Sequence, residues 1–368
     1  MRLTSLEISD VRNLQRISLL PHHSTNFIIG PNGSGKTSFL EAISLLSSGR
    51  SFRAADSKKL IKHGMSEFVV FGAVNSERNG NSRIGFSRDL SGTTTARVDG
   101  KTQNKVSTLA KLVPTISIDT TSIDLIEGGP SLRRGLLDWG MFHVEHSFLE
   151  VWSQYRNALK QKNALLKSGK VVSRNDVRHW NSVLSRYGDR LHTERLNYSE
   201  LLCQQLKRIL EHYFNVTNVI AFRYRSGWPT EAQGDFSYIL EAKIETEIER
   251  RSCLYGPHRA DLDILWDQTL AKDICSRGQK KLVLYGVRLA QIALMIERIG
   301  VAPILLLDDL PAELDQKNIK NVIRFLKEFP CQSFITAIND QSISSDILDS
   351  LEEYKMFHVE HGNFTEAP

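Results

Sequence analysis

The chain has 368 residues, 41% hydrophobic and 24% charged, with a formal charge of +5. This is the composition of a globular protein with room for two or three domains, and its mild positive charge permits nucleic-acid contact without requiring it. Cys203, Cys253, Cys275 and Cys331 are scattered with no C-x-x-C pair, and there is neither an apolar leader nor a run approaching ~18 apolar residues. A disulfide framework, a zinc knuckle, secretion and a membrane span are therefore not expected, and the cytoplasm is the expected compartment.

Alternating residues Leu3, Leu6, Ile8 and Val11, then Ile17 and Leu19, predict two short strands joined by a turn. The apolar run Phe27, Ile28, Ile29 leads into Gly30-Pro31-Asn32-Gly33-Ser34-Gly35-Lys36-Thr37, followed by a helical pattern from Ser38 to about Ser48-Gly49. This strand, G-x-x-x-x-G-K-T loop and helix form a phosphate-binding loop. Its glycines let backbone N–H groups curl around anionic oxygens at the positive end of the helix. Lys36 is expected to reach the β- and γ-phosphates of a nucleotide, and Thr37 to ligate Mg²⁺. Beyond the helix, Arg50 and Arg53 in Gly49-Arg50-Ser51-Phe52-Arg53 read equally well as phosphate or base contacts and as solvated surface. From Phe68 to Asp99 the alternation Val69, Phe71, Ala73, Ile84, Phe86, Val98, with turns at Asn79-Gly80-Asn81 and Ser91-Gly92, predicts an antiparallel meander.

A strand at Pro114–Ile118 precedes Glu127-Gly128-Gly129-Pro130 and Leu132–Trp139. Apolar residues spaced in threes and fours predict a helix over Phe148–Leu166, with Arg156, Lys160, Lys162 and Lys167 on a basic outer face. A second helix, from about Asp176 to Phe214, would form an antiparallel hairpin with it across the polar Ser168-Gly169-Lys170 to Asn175 connection. Residues 216–225 read as a strand, 235–250 as a helix, and Tyr255-Gly256-Pro257-His258-Arg259-Ala260-Asp261 as a turn before a strand at 262–264.

Cys275-Ser276-Arg277-Gly278-Gln279 then opens a helix, Lys280–Ile299; taken by itself its start reads best as an ordinary serine N-cap, and its serine and glycine also suit a second anion-binding corner. The apolar strand Pro303–Leu307 ends in Asp308-Asp309, where an open α/β sheet binds its ligand. Asp308 is the expected Mg²⁺ partner and Asp309 the expected orienter of the attacking water. Glu313-Leu314-Asp315, a helix from about Gln316 to Phe329, a strand at Ser333–Ile338 and a last strand from Tyr354 to about Val359 complete the chain. Met-Phe-His-Val-Glu-His occurs at both 141–146 and 356–361; in two different structural contexts and with no further ligands, the repeat is read as chance rather than as a metal site.

The order of these segments resembles the head of ABC-type ATPases, and the Asn32–Thr37 form of the loop is similar to that of chromosome-maintenance and recombination ATPases. Within that superfamily the chain resembles the RecF family of bacterial recombination mediators. The resemblance is carried by Val11-Arg12-Asn13, the phosphate loop, Gly49–Arg53, Gly128-Gly129-Pro130 with Arg133-Arg134 and Leu137-Asp138-Trp139, Tyr255–Leu262, Ser276–Gln279, and Asp308-Asp309 with Glu313-Leu314-Asp315.

It implies an α/β fold, an ABC-type P-loop ATPase head with an antiparallel β subdomain and an inserted helical lobe. The expected layout is 1–125 for the N-terminal part of the ATPase lobe, 126–250 for the helical lobe and 251–368 for the C-terminal part. It also implies slow, DNA-stimulated ATP hydrolysis with Mg²⁺, and an ATP-dependent homodimer in which Ser276, Gly278 and Gln279 cap the nucleotide of the other chain. Binding of gapped DNA or a duplex–single-strand junction is implied too, with RecR and RecO as partners in loading RecA during replication-linked repair and the SOS response.

Two positions depart from the family pattern. Thr120-Thr121 stand where Pro-Glu is usual, and Ala312 where serine is usual, which bears on nucleotide sensing and communication across the dimer. A transporter ATPase subunit, the other reading of such a head, would carry Leu-Ser-Gly-Gly-Gln; Cys275 and Arg277 occupy its first and third places.

Overall fold

The computed structural model describes residues 1–53, 57–76, 80–169, 171–230 and 235–367. Asn79 and Lys170, both read as turn residues, lie outside them. In chain order the first stretch carries β1 (Arg2–Ser9), β2 (Arg16–Leu19), β3 (Thr25–Ile29), α1 (Lys36–Ser48), β4 (Glu67–Ser76), β5 (Gly80–Asp89), β6 (Thr94–Val98), β7 (Lys101–Gln103), α2 (Ser107–Leu112) and β8 (Thr115–Ile118). The middle holds α3 (Asp124–Glu127), α4 (Pro130–Val144), α5 (Phe148–Leu166), α6 (Arg174–Phe214), β9 (Ile220–Arg225), α7 (Phe236–Ala242), α8 (Ile244–Arg250), β10 (Asp261–Trp266), β11 (Thr269–Leu270), α9 (Ala271–Ile274) and α10 (Arg277–Ile299). Last come β12 (Ile304–Leu307), α11 (Leu310–Glu313), α12 (Gln316–Glu328), β13 (Ser333–Ala337), α13 (Ser345–Asp349), β14 (Tyr354–Glu360) and β15 (Asn363–Glu366).

Contacts divide the chain into two units. One comprises Met1–Ser122, His212–Asn215 and Met295–Pro368, the other Ile123–Glu211 and Val216–Leu294. Residues 251–294, grouped with the ATPase lobe in the sequence reading, fall in the second unit. The reason is local: β10 pairs with β9 over six residues, Arg133 of α4 forms an ion pair with Asp261 at 2.8 Å, and Gln291 of α10 donates to the Leu136 carbonyl at 3.0 Å.

The first unit is built of two sheets. One is antiparallel, in the order β2-β1-β4-β5-β6-β7; the other runs β15-β14-β3-β13-β12-β8, its strands β14, β3, β13, β12 and β8 parallel and β15 an antiparallel edge. Helix α1 packs against both, since Leu46 meets the backbone of β4 at Gly72 while Phe39 meets Phe334 of β13 at a ring distance of 5.9 Å. Burial on all sides is what a helix between two sheets requires, and even Glu41 in its middle is inaccessible. Gly49 ends α1 as expected, left-handed at φ 63° with its N–H on the Leu45 carbonyl.

In the second unit α5 and α6 run antiparallel, as the contacts of Ser147 with Glu194 and of Tyr155 with the Gly188 position show. The basic face assigned to α5 needs correction. Arg156, Lys160 and Lys167 are exposed, but Lys162 is wholly buried in an ion pair with Glu247 of α8 at 2.5 Å, and Glu247 also accepts the Leu254 N–H at 2.7 Å. The single helix expected over 235–250 is likewise two helices, because Lys243 at φ −109°, ψ 9° leaves helical geometry between α7 and α8.

Candidate nucleotide site

Parallel pairing brings the carboxyl ends of β3 and β12 to the same edge, with β13 between them. Residues Gly30–Gly35 turn from β3 into α1, and Asp308-Asp309 follow β12 directly. The turn depends on glycine: Gly33 and Gly35 hold φ 78° and 119°, and a Cβ on Gly30 would lie 2.2 Å from the Val359 carbonyl oxygen of β14. Val11-Arg12-Asn13 braces the loop from outside. Asn13 donates to the Gly33 carbonyl at 3.0 Å and accepts the Ser38 hydroxyl at 2.9 Å, while Arg12 pairs with Glu41 at 2.6 Å. Ser51 also donates to Glu41, so the segment after α1 is anchored by its serine, with Arg50 and Arg53 exposed.

Two features of the loop fit an anionic ligand. No side chain caps the start of α1, and the Ser34 hydroxyl is buried without a hydrogen-bond partner, a costly arrangement for a polar group unless a ligand completes it. Lys36 folds over the loop, donating to the Gly30 and Pro31 carbonyls at 2.6 and 3.0 Å. Burial lowers its pKa, against the opposing charges of Asp309 and Asp308.

Thr37 and Asp308, 271 residues apart, meet at this edge, the threonine hydroxyl donating to both carboxylate oxygens at 2.9 and 3.1 Å. A hydroxyl and a carboxylate so placed are hard oxygen donors suited to Mg²⁺. Asp309 adopts the left-handed conformation at φ 53°. Its carboxyl is raised above the ordinary value, first by burial, with Asp308 and Glu313 adding to the shift and Lys36 opposing it.

Thr336 of β13, which the sequence reading missed, organises this pair. Its hydroxyl donates to Asp308 at 2.9 Å and accepts the Asp309 N–H at 2.7 Å. Asp119, at the end of β8, was missed as well. It accepts the hydroxyls of Thr121 and Ser122 at 2.9 and 2.5 Å, so the threonine that departs from the family pattern ties the turn after β8 together. Ala312, the other departure, is exposed in α11.

In the second unit Ser276 precedes α10 in a reciprocal cap. The Gln279 N–H donates to the Ser276 hydroxyl at 3.3 Å, and the Ser276 N–H to the Gln279 side chain at 2.8 Å. Ser276, Arg277 and Gly278 are exposed, and a Cβ on Gly278 would meet nothing nearer than the Ser276 hydroxyl at 4.0 Å. The turn at 256–261 is internal to its unit: Arg195 donates to the Pro257 carbonyl at 2.6 Å, Arg134 to the Ala260 carbonyl at 2.8 Å, and Tyr155 meets His258 at 2.7 Å.

A loop of this geometry before a buried helix, facing a strand-end aspartate pair across one intervening strand, defines a P-loop ATPase head of the ABC type. Comparison narrows the class: residues 2–364 match the RecF/RecN/SMC N-terminal domain. Proteins named DNA replication and repair protein RecF are 39% identical in Acinetobacter baumannii, over 100% of this chain and 99% of that protein, and 37% identical in Shewanella baltica, over 99% of each. The chain belongs to the RecF family. A solved structure described as the recombination mediator protein RecF-ATP in the RecFOR pathway superposes with a TM-score of 0.87 at 27% identity, covering 100% of this chain and 98% of that one. An Smc head bound to the C-winged helix domain of ScpA has a TM-score of 0.59 at 15% identity, a likeness of fold alone. Among the described residues no helix is long and apolar enough to cross a membrane.

Proposed function

We propose that this chain is an ATP-dependent recombination mediator of DNA replication and repair, acting in the cytoplasm as a slow, DNA-stimulated ATPase switch. The meeting of Thr37 and Asp308 at the head of the phosphate loop carries the reading, supported by the buried, unpartnered Ser34 hydroxyl and by full-length similarity to RecF proteins. Residues Gly30–Lys36 hold the phosphates of ATP through backbone N–H groups, Lys36 exchanging its loop carbonyls for the β- and γ-phosphates. Mg²⁺ held by Thr37 and Asp308 would supply charge neutralisation at the phosphate oxygens. Asp309, beside Asp308 at the end of β12, orients the attacking water.

In this reading Ser276, Gly278 and Gln279 complete the site of a second copy, so that ATP closes a homodimer on DNA and hydrolysis reopens it. The reading extends, on the strength of the resemblance to RecF proteins, to gapped DNA or a duplex–single-strand junction as the DNA bound, RecR and RecO as partners, and RecA loading in the SOS response. Lys36→Met tests the nucleotide half. It should abolish binding of a fluorescent ATP analogue and, with it, ATP-dependent retention of gapped duplex DNA; normal ATP affinity in the variant would overturn the assignment.

A further inference from the structure

At the opposite end of the strands that carry the phosphate loop, His22 and His23 precede β3 and Glu353 precedes β14. Strands β3 and β14 are parallel neighbours, with Thr25 opposite Tyr354, so the histidine pair and the carboxylate converge. One ligand atom from each of the three lies within 4.8 Å of the others; His22 Nε2 is 3.3 Å from a Glu353 carboxylate oxygen, and the two imidazoles are 4.1 Å apart between ring centres. We propose that His22, His23 and Glu353 form a site for a divalent transition metal of the zinc class.

The surroundings prepare His22 for this role. Its Nδ1 is hydrogen-bonded to the Ser24 hydroxyl at 2.9 Å, and that hydroxyl is tied to the Glu353 carbonyl at 3.0 Å, which leaves Nε2 directed at the carboxylate. Such an outer partner fixes ring orientation and raises the basicity of the ligating nitrogen. The backbone of His22 is equally fixed: its N–H donates to buried Asn26 at 2.6 Å, and its carbonyl accepts from Asn26 at 3.0 Å and from buried Gln332 at 2.8 Å.

Two imidazoles and one carboxylate are a donor set that zinc accepts with one position left for water, and softer than Mg²⁺ prefers. His23, Ser24 and Glu353 border a cavity of about 510 Å³, which gives that position access to solvent or a small ligand. A bound metal would link the start of β3 to the start of β14, clamping the two strands far from the nucleotide end.

The test is a calorimetric titration of the full chain with Zn²⁺ against a background of excess Mg²⁺, alongside the thermal midpoint. One zinc per chain and a raised midpoint are expected. Glu353→Gln and His23→Ala, both at exposed side chains, should each weaken zinc binding about tenfold or more, with zinc-free midpoints and far-UV spectra unchanged, and Ser24→Ala should weaken it about tenfold. Unaltered zinc affinity in Glu353→Gln and His23→Ala, or zinc binding at several sites indifferent to them, would overturn the proposal.

Discussion

Thr336 joins the two aspartates at the end of β12, donating to the Asp308 carboxylate at 2.9 Å while accepting the Asp309 backbone N–H at 2.7 Å. One hydroxyl thus aims the carboxylate that faces Thr37 and fixes the backbone of the residue assigned to the water. Thr336→Val keeps the shape and removes both bonds. ATP turnover should fall about 10–100-fold while the ATP dissociation constant moves much less, as single-turnover and equilibrium measurements would show. Unchanged turnover would mean that the aspartates need no such support.

Asp309→Asn tests the water-orienting role and carries a pH signature. Asparagine tolerates the left-handed backbone at this position as aspartate does, so the substitution removes charge without adding strain. The variant should bind ATP, dimerise and fail to turn over. Because burial raises the folded-state pKa of Asp309 above 3.8, the folded chain holds that proton more tightly than the unfolded chain. Its ionisation therefore costs stability as pH rises through the raised pKa. Nucleotide-free Asp309→Asn should melt higher than the parent near neutral pH, and the difference should vanish below about pH 4. A variant less stable at neutral pH would show that attraction to Lys36 outweighs desolvation.

The ion pair of Lys162 with Glu247 predicts a non-additive stability effect in the helical unit. Lys162→Met leaves an uncompensated buried carboxylate and should cost about 3–5 kcal/mol in denaturant unfolding. Adding Glu247→Gln removes that charge and keeps an acceptor for the Leu254 N–H, so the double variant should recover most of the loss. Additive losses would indicate that packing, not charge, is what the pair supplies.

How far the sequence foretells this site depends on how local each element is. Gly30–Thr37, Ser276–Gln279 and Asp308-Asp309 stand out in the sequence because each is a run of consecutive residues, and the flanking strands and helices follow from simple periodicity. Thr336 is not legible, since a threonine within an apolar strand acquires its role only when β13 lies between β3 and β12, an order no local pattern encodes. Asn13 braces a glycine 20 residues away, and Lys162 finds its partner 85 residues on. Helical spacing alone makes Lys162 look solvated, whereas the buried α8 carboxylate draws it inward. The break at Lys243 is hidden for the opposite reason, because the apolar spacing continues across it while the backbone does not.

If ATP completes a site shared by two copies of the chain, its binding must change the mass of the particle that sediments, and sedimentation velocity reads this directly. With ATP and Mg²⁺ the parent protein should shift from monomer to dimer. Ser276→Arg, which places bulk and charge at the exposed start of α10, should bind ATP with parental affinity yet remain monomeric. A dimer that persists in Ser276→Arg, or a parent chain that stays monomeric with ATP bound, would contradict the account.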